Sequence, residues 1–396
     1  MNIIPKHLGS VRPLKINFML IKPIQQFILF LFILLLNGCI VQFIPETGED
    51  QDLLVVEGLI TDQPGPNTIR LSKSLPLGVK NAAKPLEGCI VTISDDLGNY
   101  YSLNETVAGT YVTNPTNFQG IIGRWYTLHI NTSTDNNNLN YQSFPMEMKP
   151  VPPIDSIFYE KEVIKESDEF SPAVEVCQIY LNTHDPENSC KFYRWEYSET
   201  WEFRLPFPVL NNTCWISNNS DKINIKTTAA FKEDRINRYP LNYISNLTDR
   251  LRVKYSILVN QYSLNEDEYV YWEKLQNIAE QVGGLYDITP ALIPSNIWCV
   301  EDPNEKVLGY FSVSANSSKR IFIKDNFSGV INLYNQCIGD TIFDRGPIPN
   351  LNTSCWVLID HSFPPPFYKV ITFSKGCADC SVRGTTIEPV SWRDDK

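Results

Sequence analysis

The sequence lacks the signatures of the commonest hydrolases and nucleotide-binding enzymes. It contains no Gly-x-Ser-x-Gly, no His-Glu-x-x-His and no Gly-x-x-x-x-Gly-Lys-Ser/Thr, so nucleophile-elbow, zincin and phosphate-loop chemistry have no motif to stand on. Histidine is scarce, 4 in 396 residues, and no two are spaced His-x-x-x-His. Long helical runs of Ala, Glu, Lys and Leu are missing and Pro (27) outnumbers Gly (19), a balance that favours strands and turns over helices. A basic excess is also missing. Lys plus Arg number 34 against 45 Asp plus Glu, giving −11, and no basic stripe interleaves with aromatics, so no nucleic-acid partner is expected. What is present, 43% hydrophobic and 12% aromatic residues, suffices for sizeable cores and excludes a disordered or collagen-like chain. The length suggests two domains.

The N-terminus carries an address. Lys6, Arg12, Lys15 and Lys22 precede the apolar run Phe27 to Leu36, and no acidic residue occurs before Glu46, the layout of a signal peptide. The run is shorter than the roughly 20 apolar residues of a membrane span. It ends Leu36-Asn37-Gly38-Cys39, which resembles a bacterial lipobox, so residues 1–38 are expected to be removed and Cys39 to carry the lipid. A signal anchor or an ordinary cleaved signal is the alternative, and either Met1 or Met19 could be the start. Loss of residues 1–38 takes the net charge from −11 to −15, so membrane attachment is expected through acyl chains rather than through a basic patch.

From Ile40 to Asp52 the chain has no periodicity and reads as a tether. Beyond it, Leu53 to Ile60, Thr68 to Leu71, Cys89 to Ile93, Tyr100 to Leu103, Gly109 to Val112 and Trp125 to Ile130 read as short strands separated by turns such as Asp95-Asp96-Leu97-Gly98-Asn99, the rhythm of a β-sandwich. Val56-Glu57-Gly58, Pro85 to Gly88, Asp96-Leu97-Gly98, Gly109-Thr110-Tyr111 and Tyr126-Thr127-Leu128, in that order, resemble the carboxypeptidase regulatory-like, immunoglobulin-like sandwich. The Asn-rich stretch Asn131 to Asn140 is expected as an exposed loop. Met148 to Pro153, with Pro150, Pro152 and Pro153, reads as a stiff linker, which divides the chain into 53–148, the immunoglobulin-like sandwich, and 149–396, a larger β-rich domain.

In the second domain Ser156 to Tyr159, Val174 to Leu181, Phe192 to Tyr197, Trp201 to Leu205, Ile223 to Thr227 and Val253 to Leu258 read as strands. One helix, about 264–282, starts at the capping-box form Ser263-Leu264-Asn265-Glu266, ends at Gly283-Gly284 and has Tyr271, Leu275, Ile278 and Val282 on one face. Val307 to Ser314 and Lys319 to Ile323 are expected to form a hairpin. Trp195 and Trp201 alternate with Arg194, Glu196, Glu202 and Arg204, as in strands with one buried aromatic face. The overall expectation is a mainly β chain with one inserted helix.

Cysteine usage fits an exported protein. Cys177, Cys190, Cys214, Cys299, Cys337, Cys355, Cys377 and Cys380 are an even set and are candidate disulfide cysteines, with Cys89 a buried free thiol. Cys377-Ala378-Asp379-Cys380 admits three readings: structural disulfides, a redox pair or half a metal site. The metal reading lacks further ligands at suitable spacing. Paired carboxylates such as Asp95-Asp96 lie in a turn, and Glu266, Asp267 and Glu268 lie in a helix first turn, where they complement the helix dipole. No catalytic residue, metal ligand or cofactor is therefore assigned. Pro364 to Tyr368 is a rigid apolar segment, and Pro365, Pro366, Phe367 and Tyr368 are candidate protein-contact residues. Ser156 and Thr341, in Asp-Ser/Thr-aliphatic triplets, resemble the O-glycosylation signal of exported Bacteroidota proteins.

Val55-Val56-Glu57-Gly58, Pro152 to Ile157, Asp185-Pro186 followed by Phe192-Tyr193-Arg194-Trp195, Tyr271-Trp272, Val307 to Val313 and Cys377 to Cys380 with Arg383-Gly384 together resemble an uncharacterised Bacteroidota lipoprotein family that bears a domain-of-unknown-function label. Members are commonly encoded beside TonB-dependent outer-membrane receptors. The ending Pro389-Val390-Ser391-Trp392 departs from a more usual Pro-x-Phe-Trp. The resemblance implies no catalytic residue. It implies a non-enzymatic, lipid-anchored outer-membrane protein, facing the cell surface, that serves as accessory or substrate-capture subunit of such a receptor. The alternative is a stand-alone surface lipoprotein that binds a glycan or peptide.

Overall fold

Alternating apolar residues place most of this chain in strands, and the computed structural model describes residues 53–75, 83–134, 137–164, 174–206, 209–281, 293–335, 337, 339–343, 355–360, 368–372 and 375–393. The N-terminal strands are β1 (Leu54–Ile60), β2 (Thr68–Lys73), β3 (Lys84–Pro85), β4 (Ile90–Asp95), β5 (Tyr100–Ser102), β6 (Asn104–Val107), β7 (Thr110–Val112), β8 (Trp125–Thr134), β9 (Asn137–Ser143) and β10 (Met146–Glu147). They are followed by β11 (Ile154–Ile164), β12 (Val174–Asp185), β13 (Phe192–Arg204), β14 (Thr213–Asn219), β15 (Asn224–Thr227), β16 (Asp234–Ser245), β17 (Lys254–Ser263), helix α1 (Glu266–Gln281), β18 (Ile297–Cys299), β19 (Val307–Val313) and β20 (Asn316–Ile323). The tail contributes β21 (Gly339–Phe343), β22 (Cys355–Asp360), β23 (Tyr368–Thr372) and the one-turn helices α2 (Lys375–Ala378) and α3 (Val390–Arg393). The protein is mainly β, as its composition implied.

Two sheets, β19-β1-β2-β7-β6 with β3 on β2, and β18-β9-β8-β4-β5 with β10 on β8, enclose the first core. Leu54, Val56, Ile69, Leu71, Ile93, Tyr111, Leu128 and Phe311 are all buried there, each such side chain contributing about 1.5–3 kcal/mol on burial. A second pair, β11-β12-β16 and β14-β13-β17-β20 with β15 on β13, encloses Ile179, Tyr193, Trp195, Tyr255 and Ile257. The tail strands form a separate sheet, β21-β23-β22.

The domain division at residue 149 does not survive as a cut in the sequence. β18 pairs with β9, and β19 lies parallel to β1 from Leu54 opposite Val307 to Ile60 opposite Val313. Both strands therefore complete the first sandwich, although they follow the second in the chain. The hairpin expected over 307–323 is corrected by the same observation: β19 belongs to β1, whereas β20 pairs with β17 of the second sandwich. Ala315, fully buried, sits at the crossing between them. Gly309 makes the parallel contact possible. Its φ is +85° and a Cβ there would lie 2.0 Å from the Val56 carbonyl oxygen, a position only glycine can occupy.

The Asn-rich stretch is also not a loop. β8 continues to Thr134 and pairs with β9 through Thr134 opposite Asn137, because ladder hydrogen bonds are made by the backbone whatever the side chain. Asn131 and Asn140 add a cross-strand amide bond of 2.8 Å. The Pro-rich linker is pinned rather than free: Ser263 donates to the Lys149 carbonyl at 2.7 Å and Gln261 Nε2 to the Pro152 carbonyl at 2.8 Å. Ser263 thus ends β17 instead of capping the helix, which begins at Glu266. Gln261 accepts in turn from Trp195 Nε1 at 2.8 Å, so a polar group inside the second core is satisfied from both ends.

Trp195 and Trp201 are buried, as the alternation of β13 implied, but the opposite face of the strand is covered too. Arg194 and Glu202 are both buried. Arg194 lies over the Trp272 ring of α1, and Trp392 of α3 donates to Glu202 Oε2 at 3.2 Å. A helix and the C-terminal tail shield what a lone sheet would expose.

Candidate functional site

The inward row of β13 reads Tyr193, Trp195, Tyr197, Glu199, Trp201, one residue in two. An acid at the fourth place would be severely destabilising inside an apolar core unless it were paired. Glu199 is 5% exposed, and both its oxygens accept from Arg250 Nη1, at 2.9 and 3.0 Å, while Tyr255 donates its hydroxyl at 2.8 Å. Burial, and then the neighbouring Glu199 charge, push the Tyr255 phenol well above its ordinary range. Beside this pair Asp249, 2% exposed, is clamped by both terminal nitrogens of Arg383, a bidentate arrangement that the guanidinium fork favours.

Around these two ion pairs the sheets of the second sandwich part into an open cavity of about 710 Å³. Tyr197, Glu199 and Trp201 of β13 form one wall, and Asn242 and Tyr243 of β16 form another. Asn218 and Asn219 from the end of β14 border it, and three carboxylates (Glu199, Asp221, Asp249) are matched by three cations (Lys222, Arg250, Arg383). Two nearly buried donors in the lining, Trp201 Nε1 and Asn242 Nδ2, have no hydrogen-bond partner among the described residues. Such groups cost about 1–3 kcal/mol each when left unmade. Tyr243 is half exposed, with the Lys222 amine 5.1 Å from its ring centre.

A second cleft, about 650 Å³, lies between α1, β1 and β13. Its arginine is already committed: Arg194 is stacked between Trp272 and Tyr262, 4.3 and 5.1 Å from the ring centres, and pairs with Glu196 at 3.0 Å. Glu268 of α1 is wholly buried nearby, its Oε1 accepting from Trp272 Nε1 at 3.3 Å. Burial raises its carboxyl pKa despite the Arg194 charge. This cleft is where α1 is fastened to the sandwiches.

The candidate disulfide cysteines divide. Cys214 is bonded to Cys380 and Cys337 to Cys377. Cys177, Cys190 and Cys299 are corrected to free thiols: Cys177 and Cys190 point into the second core and Cys299 into the first, where they act as small hydrophobes. Burial pushes Cys177 and Cys190 up to about 12, so they stay neutral and unreactive. Cys89 is free but only half buried. The sulfurs of Cys377 and Cys380 are bonded to different partners, which removes the vicinal redox and metal readings. Cys355 lies in β22 and its side chain is outside the described residues, as are Cys39, Pro365, Pro366 and Phe367 and the side chains of Tyr368 and Thr341. Ser156, in β11, is half buried and accepts from Asn182 at 2.9 Å. Among the described residues no group of three or more His, Cys, Asp or Glu is placed to hold a metal ion, and no helix is long and apolar enough to cross a membrane.

Of the cavity residues, the sequence drew attention to Trp201 as a buried aromatic and to Arg383 within the family resemblance, but to none as part of a site. The signal was there in Glu199, an acid at the inward parity of an aromatic strand, but its partners Arg250 and Tyr255 come from segments whose placement only folding decides.

The fold and the cavity together define a double β-sandwich protein whose second sandwich opens into a charge-balanced polar cavity. Within that class, the domain-family model described as Domain of unknown function (DUF4249) matches residues 41–320, and the chain belongs to that family. Comparison with curated proteins gives no match.

Proposed function

We propose that this chain is a non-enzymatic outer-membrane lipoprotein of the Bacteroidota, anchored by lipid on Cys39 and facing the cell surface, that captures or admits substrate for a TonB-dependent receptor. The observation that carries a binding rather than a catalytic reading is the cavity of the second sandwich. Its buried acids are each locked to an arginine, Glu199 to Arg250 and Asp249 to Arg383, so neither is placed as a free acid or base. Its volume, about 710 Å³, is that of a small-molecule site. The lipobox at Cys39 and the family resemblance support the location and the receptor.

Affinity copurification from native membranes tests the reading. A β-barrel receptor recovered at near-equal amount is the expected result; recovery of the protein alone would sink the receptor partnership.

A further inference from the structure

We propose that the open side of the second sandwich binds a short oligopeptide, added as an extended strand to the free edge of β14 with alternate side chains in the cavity beside it. The inference rests on the binding reading above and assigns it a ligand class and a mode of binding. Backbone parity exposes the edge. Ser220 N donates to the Tyr197 carbonyl of β13, whereas Trp215 turns its N–H and C=O away from β13 and exchanges both with Thr385 at 2.9 Å. In an antiparallel pair this orientation repeats every second residue, so Ser217 and Asn219 present their main-chain groups to the same side as Trp215. Ser217, Asn218 and Asn219 are exposed, and among the described residues nothing bonds the outward groups of Ser217 and Asn219.

Native sheet edges are blunted by charge, proline, irregular pairing or a covering segment, and three other edges of this sandwich are. β11 carries Glu160, Lys161 and Glu162 in succession. β16 carries Pro240 and two shifts of register. Lys319 of β20 is bonded to the carbonyls of Ile154 and Asp155, at 3.2 and 2.6 Å. Ser217-Asn218-Asn219 has no charge, no proline and no shift of register.

Thr385 shows that this edge accepts a strand, and it also limits what can follow. It fills the place beside Trp215, so an added strand must stop there. The end of a short peptide meets that condition. A second copy's β14, laid antiparallel, would run its own continuation into Thr385, and so would an uninterrupted strand of a folded partner. Asn218, opposite Glu199, faces inward, and a guest side chain beside it enters the cavity of about 710 Å³. There it meets the half-exposed ring of Tyr243 and the Lys222 amine. Main-chain bonds supply the affinity in such strand addition, and the pocket selects among side chains.

The test uses the full chain purified in detergent and a pool of random hexapeptides, with maltohexaose as the saccharide control. Retained peptides are identified by mass spectrometry, and one is resynthesised for calorimetry. In an N-methyl scan of that peptide, two residues separated by one should be sensitive, each methyl weakening binding at least about 10-fold, and the residue between them should change it less than about 3-fold. Hydrogen exchange at the Ser217 and Asn219 amides should slow when the peptide binds, while Asn218, already bonded to β13, stays unchanged. Asn219→Pro, which removes an outward N–H that the fold does not use, should weaken binding at least about 3-fold. Should that variant fail to fold, the scan and the exchange decide, since both are made on the parent protein. The inference is overturned if no hexapeptide is retained, if maltohexaose alone binds, if the scan shows no alternation, or if the two amides exchange equally fast with and without peptide. It is also overturned if they are protected without peptide in a sample that sediments as a dimer, which would assign the edge to a second copy. Peptide binding without a copurifying receptor would remove only the receptor partnership; a receptor without peptide binding would remove only the present assignment.

Discussion

Cys214 and Cys380 are bonded to each other across 166 positions of sequence, and this joint sets where the tail meets the second sandwich. Around it, Cys380 N donates to the Asn211 carbonyl at 3.1 Å, and Trp215 and Thr385 exchange two backbone hydrogen bonds of 2.9 Å. Non-reducing peptide mapping should therefore recover Cys214 with Cys380 and Cys337 with Cys377, and no peptide in which Cys377 and Cys380 are bonded to each other. Cys177, Cys190 and Cys299 should alkylate only after denaturation. Replacing Cys214 and Cys380 together by Ser should destabilise the second sandwich and tail by about 2–4 kcal/mol, seen as earlier urea unfolding.

Arg383, delivered by that joint, neutralises a carboxylate that water barely reaches. Arg383→Ala leaves Asp249 buried without its cation, and should cost about 2–4 kcal/mol, below the value for a fully buried pair because the Arg383 side chain is 34% exposed. Asp249→Asn in the Arg383→Ala background should recover a large part of the loss in a thermal melt. Equal melting of the single and double variants would show the pair to be energetically idle.

Gly309 is the point of contact between the two ends of the first sandwich. Gly309→Ala forces a left-handed backbone on a side chain and drives a Cβ to 2.0 Å from the Val56 carbonyl, so β19 should separate from β1. The expected loss exceeds about 3 kcal/mol, and hydrogen exchange of the β1 amides should rise while that of β13 and β17 is unchanged.

Glu268 gives the fold a pH dependence of definite sign. Burial raises its pKa in the folded protein, so the folded state prefers the protonated acid. The stability contributed is complete below the unfolded value of about 4.3 and is lost as pH rises through the raised one. Glu268→Gln mimics the protonated form. The variant's melting temperature should match the parent's near pH 4 and exceed it increasingly towards pH 8. A gap that instead widens towards acid would refute the burial of an uncharged carboxyl.

Cys39→Ala tests the address. The variant should move from the detergent-extracted membrane fraction to soluble periplasmic or secreted fractions, because attachment is assigned to lipid alone. Continued membrane retention would discard the lipobox.

Most strands were legible before the structure. Alternation in Leu53 to Ile60, Cys89 to Ile93 and Trp125 to Ile130 marked strands that exist, and helix α1, described over Glu266–Gln281, lies within the span its apolar face implied. The cysteine-rich tail was recognisable as stapled. Three places were misread for one shared reason. Asn131 to Asn140 was judged by side-chain composition, but ladder pairing satisfies the backbone regardless. Val307 to Ile323 was judged by adjacency, though its two strands serve different sheets. Cys177, Cys190 and Cys299 were counted as partners because they belong to an even set of eight, whereas bonding requires sulfurs that meet.

What the sequence determined by itself is local: which residues alternate, where turns fall, where the helix lies, that the chain is mainly β, and that Cys39 follows a signal-like run. Side-chain alternation is a property of each strand alone, so it can be read without a partner. What only the tertiary structure decided is pairing. It placed β19 beside β1, joined Cys214 to Cys380 rather than to a nearer sulfur, and brought Glu199, Asn242 and Arg383 to one cavity. These pairings join segments far apart in the chain. They are selected by the combined fit of whole sheets, their register and the burial they achieve together, and no short stretch of sequence carries that information.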